Sequence, residues 1–303
     1  ENRVVQIAAC AFLKNFSVSM YRVREAIIRA GGVRELSHLL VVWMADSEVL
    51  EAACCAMHNL ATAASCWQEA RHLSVIHQVF RILDEHPGSV DLQVAAFALL
   101  WNLSISVDIV ADLLHVGAME YIASALDRFR NTSSVLAPVV GLLRNLLAPP
   151  DQGLLAAQLC MDMVGYRKIL DIFWSHGIVD APMSRLFSKV TNDSGKSKEI
   201  EEDSTLLIEQ ILAAMSNIAK LPKDRNNFFG KLVEELVTNN ELKKLRTLME
   251  SHAESPMVQY QGFGFISYLL IGRKRLKVHF LGFGEHVAEM SRRHAGTPVS
   301  DTG

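Results

Sequence analysis

The sequence has few of the features that mark a disulfide framework, a nucleic-acid binder or a sheet-rich fold. Its 303 residues include five cysteines, an odd number without any Cys-x-x-Cys motif, so neither a disulfide framework nor a zinc site is expected. The net charge of -3 provides no excess of lysine and arginine for general contacts with phosphates. Only eight prolines, seventeen glycines and 7% aromatic residues occur, which favours many helices over many short strands.

Long apolar runs and catalytic motifs are also missing. The longest apolar runs, such as residues 39–45, are far shorter than the ~20 residues of a membrane helix. There is no His-Glu-x-x-His, Gly-x-Ser-x-Gly, Walker loop or dinucleotide fingerprint, and the eleven histidines are dispersed. We therefore predict a protein that is not an enzyme and uses no cofactor, metal or small-molecule substrate. With no membrane insertion expected and the cysteines reduced, we predict a cytoplasmic location, with the nucleus as the alternative.

Apolar residues are abundant, at 50%, and they follow a repeat. Five similar segments can be aligned on an asparagine close to their ends: AACAFLKNFS, EAACCAMHNLA, QVAAFALLWNLS, LAPVVGLLRNLLA and LIEQILAAMSNIA. These asparagines are Asn15, Asn59, Asn102, Asn145 and Asn217, at spacings of 44, 43, 43 and 72 residues. A sixth segment, VQYQGFGFISYLLI, has Tyr268 at this position. Small residues near the start and Leu or Ile near the end predict helices that pack closely side by side.

Two further amphipathic stretches lie between successive asparagine segments. AIIRAGG is followed by VRELSHLLVVWM, and IVADLLHVGA is followed by MEYIASALDRF. Glycines at 31, 32 and 117 lie at the joints, where a helix end favours a left-handed residue. Each unit of about 43 residues therefore predicts three helices, and because one such unit cannot bury its own apolar face, the units must stack.

This pattern resembles the armadillo family, in which a glycine joint is followed some 25 residues later by A-x-x-x-L-x-N-L. Residues 93–104, QVAAFALLWNLS, match it best. The resemblance implies an all-α, armadillo-type right-handed superhelical solenoid of about six three-helix repeats over residues 1–290. It also implies that the third helices line a concave groove, where their asparagines hydrogen-bond the backbone of an extended partner segment.

The residue before each asparagine adds chemistry to the expected groove. Three of the first four residues at this position can be cationic, and the other is a large aromatic. This favours a groove whose side chains bind acidic or phosphorylated segments. The predicted partner-binding residues are Lys14, Asn15, His58, Asn59, Trp101, Asn102, Arg144, Asn145 and Asn217. The alternative for each asparagine is that it ends a helix or bonds the adjacent repeat.

Three segments depart from the repeat. An insertion at about 177–204 includes TNDSGKSKEIEED (191–203), whose polar composition predicts a loop, either a tolerated insertion or a regulatory element. The basic cluster at 272–277, GRKRLK, is either an import signal or a solvated helix end. Residues 291–303 are expected to form a frayed tail. Because the chain begins at Glu1 without Met or a signal peptide, we expect a fragment of a longer protein.

Two hypotheses for function follow. The first is an interaction scaffold or adaptor that holds an extended or helical segment of a partner protein in the groove. The second is a structural or regulatory armadillo domain of a larger protein, which uses its convex face or its ends to assemble complexes or restrain a neighbouring domain.

Overall fold

A computed structural model describes residues 2–18, 20–165, 168–169, 171–172, 175, 194–220, 236, 241–270 and 283–294. Within these ranges the backbone forms helices and the turns between them, without a strand, which confirms the predicted all-α fold. The helices fall into two compact units, Glu1–Arg128 and Phe129–Gly303. We call them the N-terminal unit and the C-terminal unit.

The described part of the N-terminal unit contains nine helices. Of these, α1, α4 and α7 carry the asparagine motif, and we call them third helices. α4 packs against α1 on one side and against α7 on the other. The helices are α1 (Arg3–Ser17), α2 (Tyr21–Arg29), α3 (Gly32–Val42), α4 (Ser47–Leu60), α5 (Ala64–His72), α6 (Val75–Glu85), α7 (Val90–Leu103), α8 (Val107–His115) and α9 (Ala118–Arg128).

Helix ends in this unit follow the local chemistry of the sequence. The side chain of Asp46 accepts the backbone N–H groups of Glu48 and Val49, and so caps the free donors at the start of α4. Gly31 and Gly117 both have φ of 88°, a left-handed conformation that glycine adopts without strain. The two residues therefore turn the chain at the joints where the sequence places them.

Packing between the third helices forms the core of the N-terminal unit. Four residues of α4 are completely buried, namely Leu50, Ala53, Cys54 and Met57. Phe97 of α7 is only 1% exposed. Complete burial of one large aliphatic side chain contributes roughly 1.5–3 kcal/mol. Small residues such as Ala53 and Cys54 let the helix axes approach closely, while larger residues fill the layer between repeats.

Polar contacts also link equivalent parts of adjacent repeats. The hydroxyl of Ser37 donates to Gln78 Oε1 at 2.9 Å, and that of Ser65 donates to Glu25 Oε1 at 2.8 Å. The His86 ring nitrogen Nε2 donates to the Met44 carbonyl oxygen at 2.6 Å. Neighbouring repeats are thus held by directional bonds as well as by apolar burial.

The described part of the C-terminal unit follows the same plan. α10 packs against α12, and α12 packs against α14, so these three are the third helices of this unit. The helices are α10 (Ser133–Leu146), α11 (Pro150–Met163), α12 (Ser194–Lys220), α13 (Glu241–Ser251), α14 (Pro256–Leu270) and α15 (Phe283–Arg293).

Two predicted boundaries differ from the structure. The loop predicted over 191–203 is wrong from Ser194 onward, because α12 begins there. Polar composition does not exclude a helix: lysine and glutamate have high helix propensity, and here they lead directly into the apolar part of α12. α15 continues to Arg293, so the predicted tail at 291–303 begins inside a helix. Residues 177–193, the basic cluster at 272–277 and residues 295–303 lie outside the described residues.

Among the described helices, none alone has the length and apolar composition to cross a membrane. One pair of consecutive helices, Val107–His115 and Ala118–Arg128, meets that test when the two are taken together, by length and composition only. The chain bends by 78° between them.

Candidate functional site

The asparagines of the N-terminal unit lie near the C-terminal ends of α1, α4 and α7. Asn59 donates from Nδ2 to the carbonyl oxygen of Lys14 at 2.9 Å. Asn102 donates in the same way to the carbonyl oxygen of His58 at 3.0 Å. Each amide therefore bonds the backbone of the preceding third helix, at the residue just before the preceding asparagine.

Helix geometry explains this acceptor. The last four carbonyl groups of an α-helix have no partner within the helix, and those of Lys14 and His58 belong to the last turns of α1 and α4. An asparagine from the next repeat supplies the missing donor. The alternative weighed for these residues, a bond to the adjacent repeat, is thus observed for the nitrogen end of both amides.

The side-chain oxygens of these two amides differ from the nitrogens in their hydrogen bonding. Among the described residues, nothing donates to Oδ1 of Asn59 or Asn102. An amide oxygen accepts two hydrogen bonds, so each side chain keeps an acceptor while its nitrogen is held in place. Asn15 is exposed, and within the described part of the chain its amide makes no hydrogen bond.

The C-terminal unit shows the same bond between its own helices. Asn217 Nδ2 donates to the carbonyl oxygen of Arg144 at 3.0 Å. Its Oδ1 lies 3.5 Å from the ammonium group of Lys220. The guanidinium of Arg144 donates to Asn145 Oδ1 from Nε at 3.3 Å and from the terminal nitrogen at 3.1 Å. In this unit the amide oxygens are therefore already engaged by cations.

The residues before the asparagines differ in their surroundings. Lys14 is exposed, whereas His58, Trp101 and Arg144 are half-buried.

The His58 ring donates from Nδ1 to the Ala98 carbonyl oxygen at 3.0 Å. Burial lowers the pKa of His58 below its ordinary value of 6.5, although the Ala98 bond opposes this shift. His58 is therefore neutral at pH 7 and does not supply the positive charge that the sequence pattern offers. Burial also lowers the pKa of Arg144 from its ordinary value of 12.5.

Glu51, which is not among the partner-binding residues predicted from the sequence, lies about two helical turns before Asn59 on α4. Burial, followed by repulsion from Asp91, raises the pKa of Glu51, while the charge of Lys14 lowers it. The signal for Glu51 was its eight-residue spacing from Asn59, which two turns of helix bring onto one face. This surface therefore has carboxylates toward the helix starts and Lys14 toward a helix end.

Thiol and metal chemistry find little support in the described residues. All five cysteines are free, and Cys10, Cys54, Cys66 and Cys160 are buried. Burial raises the pKa of Cys10 to about 11 and that of Cys66 to about 12. No group of three or more His, Cys, Asp or Glu side chains in the described ranges is placed to hold a metal ion.

Comparisons with known proteins concern the repeat and the fold. Residues 21–62, which include α2, α3 and α4, match the family model described as Armadillo/beta-catenin-like repeat. No curated protein matches the chain. Among solved structures, "Designed armadillo repeat protein YIII(Dq)4CqI" is similar with a TM-score of 0.64 and 17% sequence identity, over 88% of this chain and 94% of that chain. This fold is commonly a protein-binding scaffold. The chain thus contains an armadillo repeat and has the all-α solenoid fold of the armadillo-repeat family.

Proposed function

We propose that the chain is a scaffold that binds a partner protein, and that the ends of α1, α4 and α7 hold an extended segment of that partner. The chain acts by binding rather than by catalysis. The surface is formed by Lys14, Asn15, Asn59, Trp101 and Asn102, and we call it the asparagine surface. In the C-terminal unit, Arg144, Asn145 and Asn217 are the equivalent residues.

The observation that carries the proposal is the Oδ1 acceptor of Asn59 and of Asn102, to which no residue that the structure describes donates. An extended segment has backbone N–H groups that need acceptors, and an acceptor fixed by its own nitrogen loses little entropy on binding. Successive acceptors at equivalent positions of adjacent helices would hold a backbone irrespective of its side chains. Selectivity would then come from neighbouring side chains, of which Trp101 is the largest.

The expected preference for acidic segments rests on fewer cations than the sequence pattern offers. With His58 neutral, Lys14 is the cation of this row in the N-terminal unit. We propose that the segment carries an acidic or phosphorylated residue near Lys14. Replacing Lys14 with Glu should then weaken binding of an acidic segment, and the loss should shrink at high salt because exposed charges are screened.

The test uses peptides selected for binding to the whole chain from a random 12-residue display library. The selected peptide is labelled, and its affinity is measured by fluorescence anisotropy. Each hydrogen bond to a partner backbone contributes about 0.5–1.5 kcal/mol, so Asn59→Ala and Asn102→Ala should each weaken binding roughly 2- to 12-fold. Trp101→Ala should have the largest single effect.

Asn217→Ala is the matched control. It removes the same bond between third helices in the C-terminal unit, so a peptide held on the asparagine surface should keep its affinity, whereas a loss in this variant alone would place the peptide on the C-terminal unit. If selected peptides bind equally well to every one of these variants while the variants remain folded, the asparagine surface is not the binding site. That result would favour the second hypothesis, an assembly domain that uses its convex face or its ends.

A further inference from the structure

Two connections that follow third helices of the N-terminal unit expose apolar side chains. Between α1 and α2, Val18 and Met20 are each 62% exposed. Between α7 and α8, Ile105 is 53% exposed, and Val107, the first residue of α8, is 55% exposed. We call these four residues the loop surface.

Exposure at these positions is a property of the repeat. The third and the fifth residue after the asparagine are exposed in all three repeats of this unit. In the middle repeat they are Thr62 and Ala64, which have a third helix on either side of their own. The first and third repeats therefore differ from the middle one in carrying larger apolar side chains there, and not in their exposure.

Hydrogen bonds place Val18 beside the asparagine surface. The carbonyl oxygen of Lys14 accepts both from Asn59 Nδ2, at 2.9 Å, and from Ser17 Oγ, at 3.0 Å. Val18 directly follows Ser17. The guanidinium of Arg24 donates to the carbonyl oxygens of Ser17 and Val18, at 2.8 and 3.2 Å. Val18 is thus held in place next to the Asn59 amide.

Ile105 has the corresponding place at the end of α7. Ser104 Oγ donates to the carbonyl oxygen of Trp101 at 2.6 Å, and the backbone N–H of Ile105 donates to that of Asn102 at 3.3 Å. The loop surface therefore borders the asparagine surface at both ends, and both connections are fixed before a partner binds.

The combination of acceptors and apolar side chains favours an extended partner over a helical one. An α-helix uses most of its backbone N–H groups internally, so the Oδ1 atoms of Asn59 and Asn102 would find few donors on it. An extended segment has free N–H groups, and its successive side chains point to opposite edges. One edge of such a segment faces the loop surface.

The separation of the two connections sets a spacing along this segment. α1 packs against α4 and α4 against α7, so α1 and α7 are two helix-packing distances apart, roughly 16–20 Å. An extended chain advances about 3.3 Å per residue and covers this distance in about five or six residues. Only an even separation places both side chains on the same edge, which selects six.

We propose that the extended partner segment carries two apolar residues six positions apart, one on Val18 and Met20 and the other on Ile105 and Val107. This inference rests on the proposed function, because it takes the segment to lie along the asparagine surface. The amide oxygens hold the backbone of any segment, and the loop surface selects those with the right apolar pair. Residues between the pair pass Thr62 and are free to be polar.

The first test sequences the peptides that the whole chain selects from the random 12-residue library. Pairs of apolar residues six positions apart should outnumber pairs five positions apart, relative to the unselected library. Ile105→Asp should then weaken binding of a selected peptide by about tenfold or more, because it brings a carboxylate against an apolar side chain.

Val41→Asp is the matched control. Val41 is 50% exposed on α3, near the start of α4 and so at the other end of that helix from Asn59. Peptide affinity should stay within about twofold in this variant. Circular dichroism should show that both variants retain the parent helix content.

A double-mutant cycle assigns each apolar residue of the peptide to its contact. Replacing the residue that lies on Ile105 with serine should remove most of the effect of Ile105→Asp. The same peptide should remain sensitive to Val18→Asp, because its other apolar residue is unchanged.

The outcomes separate this inference from the proposed function. Pairs five positions apart as frequent as pairs six apart, or unchanged affinity in Ile105→Asp, would overturn the inference. The proposed function would still stand if Asn59→Ala and Asn102→Ala weakened binding. Loss of affinity in Ile105→Asp without any loss in the two asparagine variants would refute the proposed function, and the extended mode of binding with it.

Discussion

Removing the amide of Asn102 should cost stability, because its nitrogen satisfies a carbonyl that α4 cannot satisfy itself. The bond to the His58 carbonyl is partly buried and 3.0 Å long, so its loss in Asn102→Ala should cost about 0.5–1.5 kcal/mol. Alanine is the better helix former by up to ~0.7 kcal/mol, which offsets part of this cost. Asn15→Ala supplies the correction, since Asn15 has the same position in its helix without the bond.

The difference between the two variants reports the contacts of the Asn102 amide nitrogen with His58, to its carbonyl oxygen at 3.0 Å and to its ring at 3.1 Å, and we expect about 1 kcal/mol. Urea unfolding followed by tryptophan fluorescence suits the measurement, because Trp43, Trp67 and Trp101, three of the four tryptophans, belong to the N-terminal unit. Midpoints should be compared only where the slopes agree, since repeat arrays can depart from two-state unfolding. A difference below ~0.3 kcal/mol, the usual error of such comparisons, would refute the structural role of the amide.

Two other expectations concern His58 and the glycine joint. Because burial lowers the pKa of His58 below its ordinary 6.5, the unfolded chain binds the proton first as pH falls. The stability that His58 contributes is thus present above about pH 6.5 and is lost as pH falls through its lowered pKa. Between about pH 7 and pH 5, the melting temperature should therefore fall less in the His58→Gln variant than in the parent. An equal fall in both proteins would contradict this. Gly31→Ala should lower the free energy of unfolding by about 1–2 kcal/mol, because φ is 88° there and no atom lies near the added Cβ, so the cost is backbone strain alone. Gly88→Ala, also in open space but without a positive φ, should change it by less than about 0.5 kcal/mol; equal losses in both would exclude strain as the cause.

The helical repeat could be predicted from sequence because it depends on local pattern. Small and large apolar residues recur at helical spacing, and Gly31 and Gly117 mark joints that need a left-handed residue. The start of α12 could not be predicted from polarity, because a charged segment rich in lysine and glutamate continues a helix when an apolar segment follows it.

The helix ends that carry Asn59 and Asn102 could be predicted from the sequence, but the hydrogen bonds of these amides could not. The spacing placed Asn59 and Asn102 at equivalent helix ends, yet which atom receives their N–H groups depends on where the neighbouring helix ends. Burial of His58 likewise depends on Ala98 of the next repeat. Such facts come from contacts between repeats, which a single helical pattern does not contain.

The acceptor of each asparagine bond is a backbone carbonyl, and this has a consequence for how such a chain can change over evolutionary time. Every residue type offers the same carbonyl at a helix end, so a duplicated or deleted repeat meets a compatible neighbour without a compensating substitution. Side chains at the same ends, such as Lys14, His58 and Arg144, are then free to diverge. Because this bond does not depend on the identity of a side chain, it preserves the stacking of the repeats while the partner that they recognise can change.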